Sequence, residues 1–86
     1  MKKGTKPMNE QKVKEAQKIL GKIQGILWAL NKLVEYRRFE EANDRQKVLK
    51  KLYDDIFKLN LTEEEMAFAN NNIDYDIAEK YYWEYR

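Results

Sequence analysis

Eighty-six residues, with 17 Lys and Arg against 15 Asp and Glu and a net charge of +2, suffice for one small domain. Such a domain buries only about 60–65% of its unfolded surface and gains from oligomerisation. Cysteine, histidine and serine are all missing, which excludes disulfides and zinc–thiolate sites, the commonest general base and metal ligand near neutral pH, and serine nucleophiles.

In chain order, residues 1–8 read as a flexible basic tail and 9–86 as a single helical domain. Charged residues follow the tail directly, so no signal-peptide hydrophobic stretch is expected. The most apolar window, 19–34, contains Lys22, Gln24, Asn31 and Lys32 and is too polar and short to cross a bilayer. The expected location is the cytoplasm, with no membrane partner.

A first helix is predicted over 9–42, with Asn9 as N-cap. Its apolar stripe runs through Val13, Ala16, Ile19, Leu20, Ile23, Ile26, Leu27, Leu30, Leu33 and Val34, wide enough for a bundle rather than a two-stranded seam. Asn43-Asp44 is the expected turn. A second helix over 45–59 follows, burying Val48, Leu49, Leu52, Ile56 and Leu59, with Tyr53 and Phe57 at one margin. The third start is the sharpest local signal. Thr62 and Glu65 form a capping box, and Leu61 and Met66 are placed as its hydrophobic staple. Met66, Ala69, Ile73, Ile77 and Tyr81 keep one phase, which predicts a continuous helix over 63–85. The alternative is a break at Asn70-Asn71-Asn72, with Asp74 capping a fourth helix. The expected fold is therefore all-α, a small antiparallel three-helix bundle with a long first helix, or a four-helix bundle if the asparagines interrupt the last one.

Two further stripes carry the functional reading. Opposite the apolar stripe of helix 1, at 100° per residue, fall Gly21, Gly25, Trp28, Lys32 and Phe39, with Ala29 and Tyr36 beside them. Each glycine costs a helix about 1 kcal/mol relative to alanine, so something must lie close against them. The occupant is either another helix of the same chain, narrowly the preferred choice, or a second protomer or target. On the last helix Tyr75, Ala78, Tyr82 and Tyr85 face away from the stripe, flanked by Trp83. Trp and Tyr are enriched at protein interfaces, and this face is read as an interface. The partner-binding candidates are thus Gly21, Gly25, Trp28, Tyr36, Phe39, Tyr75, Tyr82, Trp83 and Tyr85.

Charge is unevenly spread. Residues 1–38 carry a net +7, 39–61 are neutral, and 62–86 carry −5. Lys12, Lys14, Lys18, Lys22, Arg37 and Arg38 are candidate phosphate contacts for a DNA or RNA partner, although the acidic last helix would repel a phosphate backbone. A solvated lysine face is the preferred explanation. Asn72-Ile73-Asp74-Tyr75-Asp76 alternates oxygen ligands as a calcium loop does, but Ile77 stands where the loop needs glycine and no glutamate closes it. Adjacent acids such as Asp54-Asp55 point about 100° apart on a helix and do not converge. No catalytic residues, metal or cofactor are expected.

Tyr36-Arg37-Arg38-Phe39, Leu61 through Phe68 and Asp74 through Glu79 resemble the small helical Hha-type partners of bacterial nucleoid proteins. The likeness spans about half the chain, needs a sizeable gap, and is mostly a capping box plus an amphipathic helix, so no family is assigned on it. Small bacteriocin-immunity bundles share only size and helicity. The expectation is a non-enzymatic protein-binding module, a small regulator or inhibitor that docks an aromatic-rich helix face onto a partner and self-associates as a homo-oligomer. Abundant lysine and asparagine suit an AT-rich bacterium or its phage. The competing expectation is a nucleic-acid accessory protein using the lysine-rich first third.

Overall fold

The structure is a computed structural model that describes residues 9–86; the basic tail read at 1–8 lies outside the described residues. Those residues form four helices that pack together: α1 (Glu10–Glu35), α2 (Phe39–Lys58), α3 (Glu63–Asn71) and α4 (Tyr75–Tyr85). No strand occurs among the described residues.

Helix α1 begins where expected. The Asn9 side chain accepts from the Lys12 backbone N–H, satisfying one of the donors that a helix start leaves free. Its end corrects the sequence reading, which carries it to Ala42. The Arg38 N–H donates to the Leu33 carbonyl at 2.8 Å and the Arg37 N–H to the Val34 carbonyl at 3.0 Å, a Schellman stop. The residue in the left-handed conformation is Arg37, at φ 61°. Glycine normally takes that position, and its absence is why the stop was invisible in the sequence. Asn43 and Asp44, expected to form the turn, instead lie inside α2 next to the buried Ala42.

The capping box forms as read: the Thr62 hydroxyl accepts from the Glu65 N–H, and Glu65 Oε1 accepts from the Thr62 N–H at 2.9 Å. The other Glu65 oxygen accepts from the Asn9 backbone N–H at 2.8 Å. One buried carboxylate thus ties the starts of α1 and α3. The Thr62 and Asn9 backbone donors hold its pKa below the usual carboxylate range.

The continuous third helix is also corrected. The chain leaves helical geometry after Asn71, and the Asp74 carboxylate restarts it by accepting from the Ile77 N–H. The shared phase misled because α3 and α4 both turn their apolar sides to the same central helix, so the stripe survives the break.

The core is built around α1. Ala16, Ile19, Ile23 and Ile26 cluster with Leu52 and Ile56 of α2 and Ala69 of α3, and Tyr81 and Tyr85 of α4 pack against them. Gly21 meets Asp74 and Ile77, while Gly25 meets Ala78, Tyr81 and Tyr82. Numbers rise together along the pair, so α4 runs beside α1 in the same direction. No helix among the described residues is long and apolar enough to cross a membrane.

Candidate aromatic docking face

The site starts from the two glycines, because they set how closely α4 approaches. A Cβ on Gly21 would stand 2.5 Å from the Asp74 carbonyl oxygen. One on Gly25 would overlap the Ala78 carbonyl and lie 2.6 Å from Tyr81 Cβ and 2.9 Å from the Tyr82 nitrogen. These neighbours are mostly backbone and cannot rotate away. Gly21 and Gly25 are buried, which corrects their assignment as partner-binding residues: a helix of the same chain fills their face. Small residues on both helices, with Ala78 opposite Gly25, allow the backbones to touch.

That contact leaves Tyr75, Tyr82 and Trp83 of α4 at the rim, while Tyr81 and Tyr85 turn to the core. Trp28, just past the glycines, stacks on Tyr75 with centroids 6.5 Å apart and planes 18° apart, and meets Tyr82 edge-on at 6.2 Å. Tyr82 in turn meets Trp83 edge-on at 5.2 Å. Trp28 is 37% exposed and Trp83 62% exposed. Such edge and offset geometries are the favoured ones for aromatic pairs. Between them lies a groove of about 370 Å³ lined by Trp28, Asn31, Lys32, Glu79, Tyr82 and Trp83. A smaller recess beyond it shares Lys32 and Trp83 and adds Tyr36 and Arg86. The Arg86 guanidinium lies 5.3 Å from the Trp83 ring centre and 5.9 Å from that of Tyr82, within cation–π range.

Four of the nine partner-binding candidates therefore gather on one surface: Trp28, Tyr75, Tyr82 and Trp83, with Tyr36 at its end. Two more are placed elsewhere. Tyr85 packs against the core beside Tyr81, at 4.8 Å between ring centres, and its carbonyl accepts from Arg45 Nε at 2.8 Å. Burial pushes the Tyr81 phenol up to about 12, with Tyr85 and Glu84 adding to the rise. Phe39 opens α2 and lines a separate recess with Arg37, Arg38, Glu40 and Glu41. Its place beside the glycines assumed an unbroken first helix, and the stop at Glu35 resets its phase. Asn31, Lys32, Glu79 and Arg86 were not singled out as partner contacts. Their signal was spacing: Asn31 and Lys32 follow Trp28 by three and four residues, and Glu79 and Arg86 flank Tyr82 and Trp83 by three.

The phosphate candidates do not form one patch. Lys14 and Lys18 are exposed on early α1, roughly 30 Å along the helix from Arg37 and Arg38. Arg38 makes a bidentate pair with Glu41, and Lys22 lies over the Tyr81 ring at 5.7 Å. Lys12 is half-buried at the α1 start. Asp74 of the calcium-like stretch serves as a helix cap. Among the described residues no three acidic, histidine or cysteine side chains gather as metal ligands would. Set against known protein families, curated proteins and solved structures, the chain matches none.

Proposed function

We propose that this chain is a cytoplasmic, non-enzymatic protein-binding module. It acts as a small regulator or inhibitor by laying the Trp28–Tyr75–Tyr82–Trp83 face on a partner protein, and it also self-associates. The observation that supports this is the open aromatic groove. Four large rings with polar tips share one surface, Lys32 and Arg86 border it, and the close α1–α4 contact holds the rings in place. Rigid aromatic anchors beside a guanidinium are what concentrates binding energy in interfaces.

The test is capture with the intact chain and with a Tyr75→Ala/Trp83→Ala variant, analysed for both protein and nucleic acid. Both altered residues are exposed, so helicity by circular dichroism should be unchanged. The expected result is a protein retained by the natural chain, lost with the variant, and indifferent to moderate salt. Recovery of nucleic acid alone, with binding that falls steeply as salt rises, would overturn the reading in favour of the lysine-rich first third.

A further inference from the structure

Beyond the aromatic groove, where α1 and α4 both end, the surface turns cationic. The recess of about 150 Å³ at that end is lined by Lys32, Arg38 and Arg86 with Tyr36, Trp83 and Leu33, and by no acidic residue. Three segments bring the cations there: Lys32 from the last turn of α1, Arg38 from the stop that follows it, and Arg86 from the end of α4. They are not equally occupied. Arg38 is held by Glu41 through Nε and Nη2. Lys32 reaches Glu35 only at 3.7 Å, beyond hydrogen-bond distance. Arg86 lies over the Trp83 and Tyr82 rings, and among the described residues no carboxylate stands within ion-pair reach of it. The recess therefore holds a guanidinium without a counter-charge and a loosely held ammonium beside it.

The acid of the groove lies toward its other end. Glu79 lines the groove, seven residues before Arg86 and so about 10 Å back along α4. The surface thus runs from a negative end, across the Trp28, Tyr82 and Trp83 rings, to a positive end. We propose that it takes an acidic segment of a partner protein, one that sets an apolar side chain in the groove and a carboxylate beside it in the recess. This rests on the functional reading of the aromatic face and names the chemistry of its partner. The two cavities share Lys32 and Trp83, so the apolar residue and the acid must be near neighbours on the partner. Arg86, already seated over the rings, offers its N–H donors to a carboxylate at little further ordering cost, and charge-assisted hydrogen bonds of this kind are the strong ones. A nucleic acid is the poorer fit. A recess of this size admits a carboxylate side chain but not a nucleotide, and a run of phosphates would also meet Glu35, Glu41 and Glu79.

The full chain carries its own reporter, since both tryptophans of the sequence, Trp28 and Trp83, line the groove. The probes are short synthetic peptides free of Trp and Tyr, each with one Leu or Phe and one Glu set one to four residues apart among Ala and Gly, and the same peptides with Gln for Glu. Titration to millimolar concentration should shift the tryptophan emission. The best Glu peptide should bind at least about fivefold more tightly than its Gln counterpart, as an ion pair at a partly exposed site allows. Lys32→Gln/Arg86→Gln, with helicity unchanged, should erase that preference, and Lys32→Glu/Arg86→Glu should transfer it to peptides with Lys for Glu. Arg86→Gln alone, at an exposed side chain, should weaken the preference and serves if the double variants fail to fold. Equal binding of Glu and Gln peptides, lost with Trp83→Ala, would overturn the inference and leave the aromatic face standing as a docking site. No binding by any peptide also overturns it, and the capture experiment then decides the functional reading separately. Tighter binding of an oligothymidylate than of every peptide overturns it in favour of nucleic acid. A doubled mass of the chain itself in light scattering, abolished by Arg86→Gln and unaffected by every peptide, overturns it in favour of a second copy.

Discussion

The two flanks of α1 are both rich in apolar residues, yet they solve opposite problems. On the α4 side the helix removes side chains, at Gly21 and Gly25, so that another backbone can seat directly on it. On the other side it keeps Leu27 and Val34 and leaves them half-exposed. The first flank is finished by the chain itself. The second has the pattern of a core, with nothing over its later part. Missing side chains marked the closed face, and surplus ones mark the open face. From sequence alone the two outcomes are nearly balanced, because small residues admit either a helix of the same chain or a partner's.

The most severe way to break this comparison is to fill the closed flank. Gly25→Ala should lower stability by about 2–3 kcal/mol despite the better helix propensity of alanine, because the new methyl meets fixed backbone. Urea unfolding followed by circular dichroism measures it, and a stabilised variant would show that α4 does not sit on α1 as described. Thr62→Ala sharpens the boundary between the flanks, since the capping box holds α3 beside the early part of α1. It should cost about 1 kcal/mol in the same assay.

Substituting Arg37 by glycine should gain about 0.5–1 kcal/mol by relieving the left-handed residue that ends α1. That gain would confirm that α1 stops before the open flank can extend past Val34. On the open flank, Leu27→Gln should change the stability of the single chain by no more than about 0.5 kcal/mol at low concentration. A larger loss would mean the flank is already covered.

Two pH responses probe the same frame. The folded-state pKa of Glu65 is lowered from the ordinary 4.5, so its contribution is present above that value and lost as pH falls through the folded pKa. The stability difference between the natural chain and Glu65→Gln should shrink accordingly in acid melts. The Tyr81 phenol is raised from 10.0 to about 12. Its contribution holds below pH 10 and disappears as pH rises toward 12, where Tyr81→Phe should resist alkali better than the natural chain.

The sequence by itself determined the helical class, the α1 start at Asn9, the capping box at Thr62 and Glu65, and most of the buried faces of α1 and α2, Leu27 and Val34 of the predicted stripe being left exposed. Each rests on local physics: apolar period, side chains that reach their own backbone, and residues three or four apart. It also located the aromatic residues of the candidate face, because Trp28, Tyr75, Tyr82 and Trp83 stand out by type and phase. Only the tertiary structure decided where α1 stops, since an arginine takes a conformation that the sequence signals only through glycine. It alone decided that the asparagines break the last helix, because a bend around a common core helix leaves the apolar phase intact. It alone put α4 over Gly21 and Gly25, turned Tyr85 inward and separated Phe39 from the aromatic groove. A helical wheel shows which residues share a face; what comes to lie against that face depends on contacts between residues some fifty positions apart, such as Gly21 with Asp74.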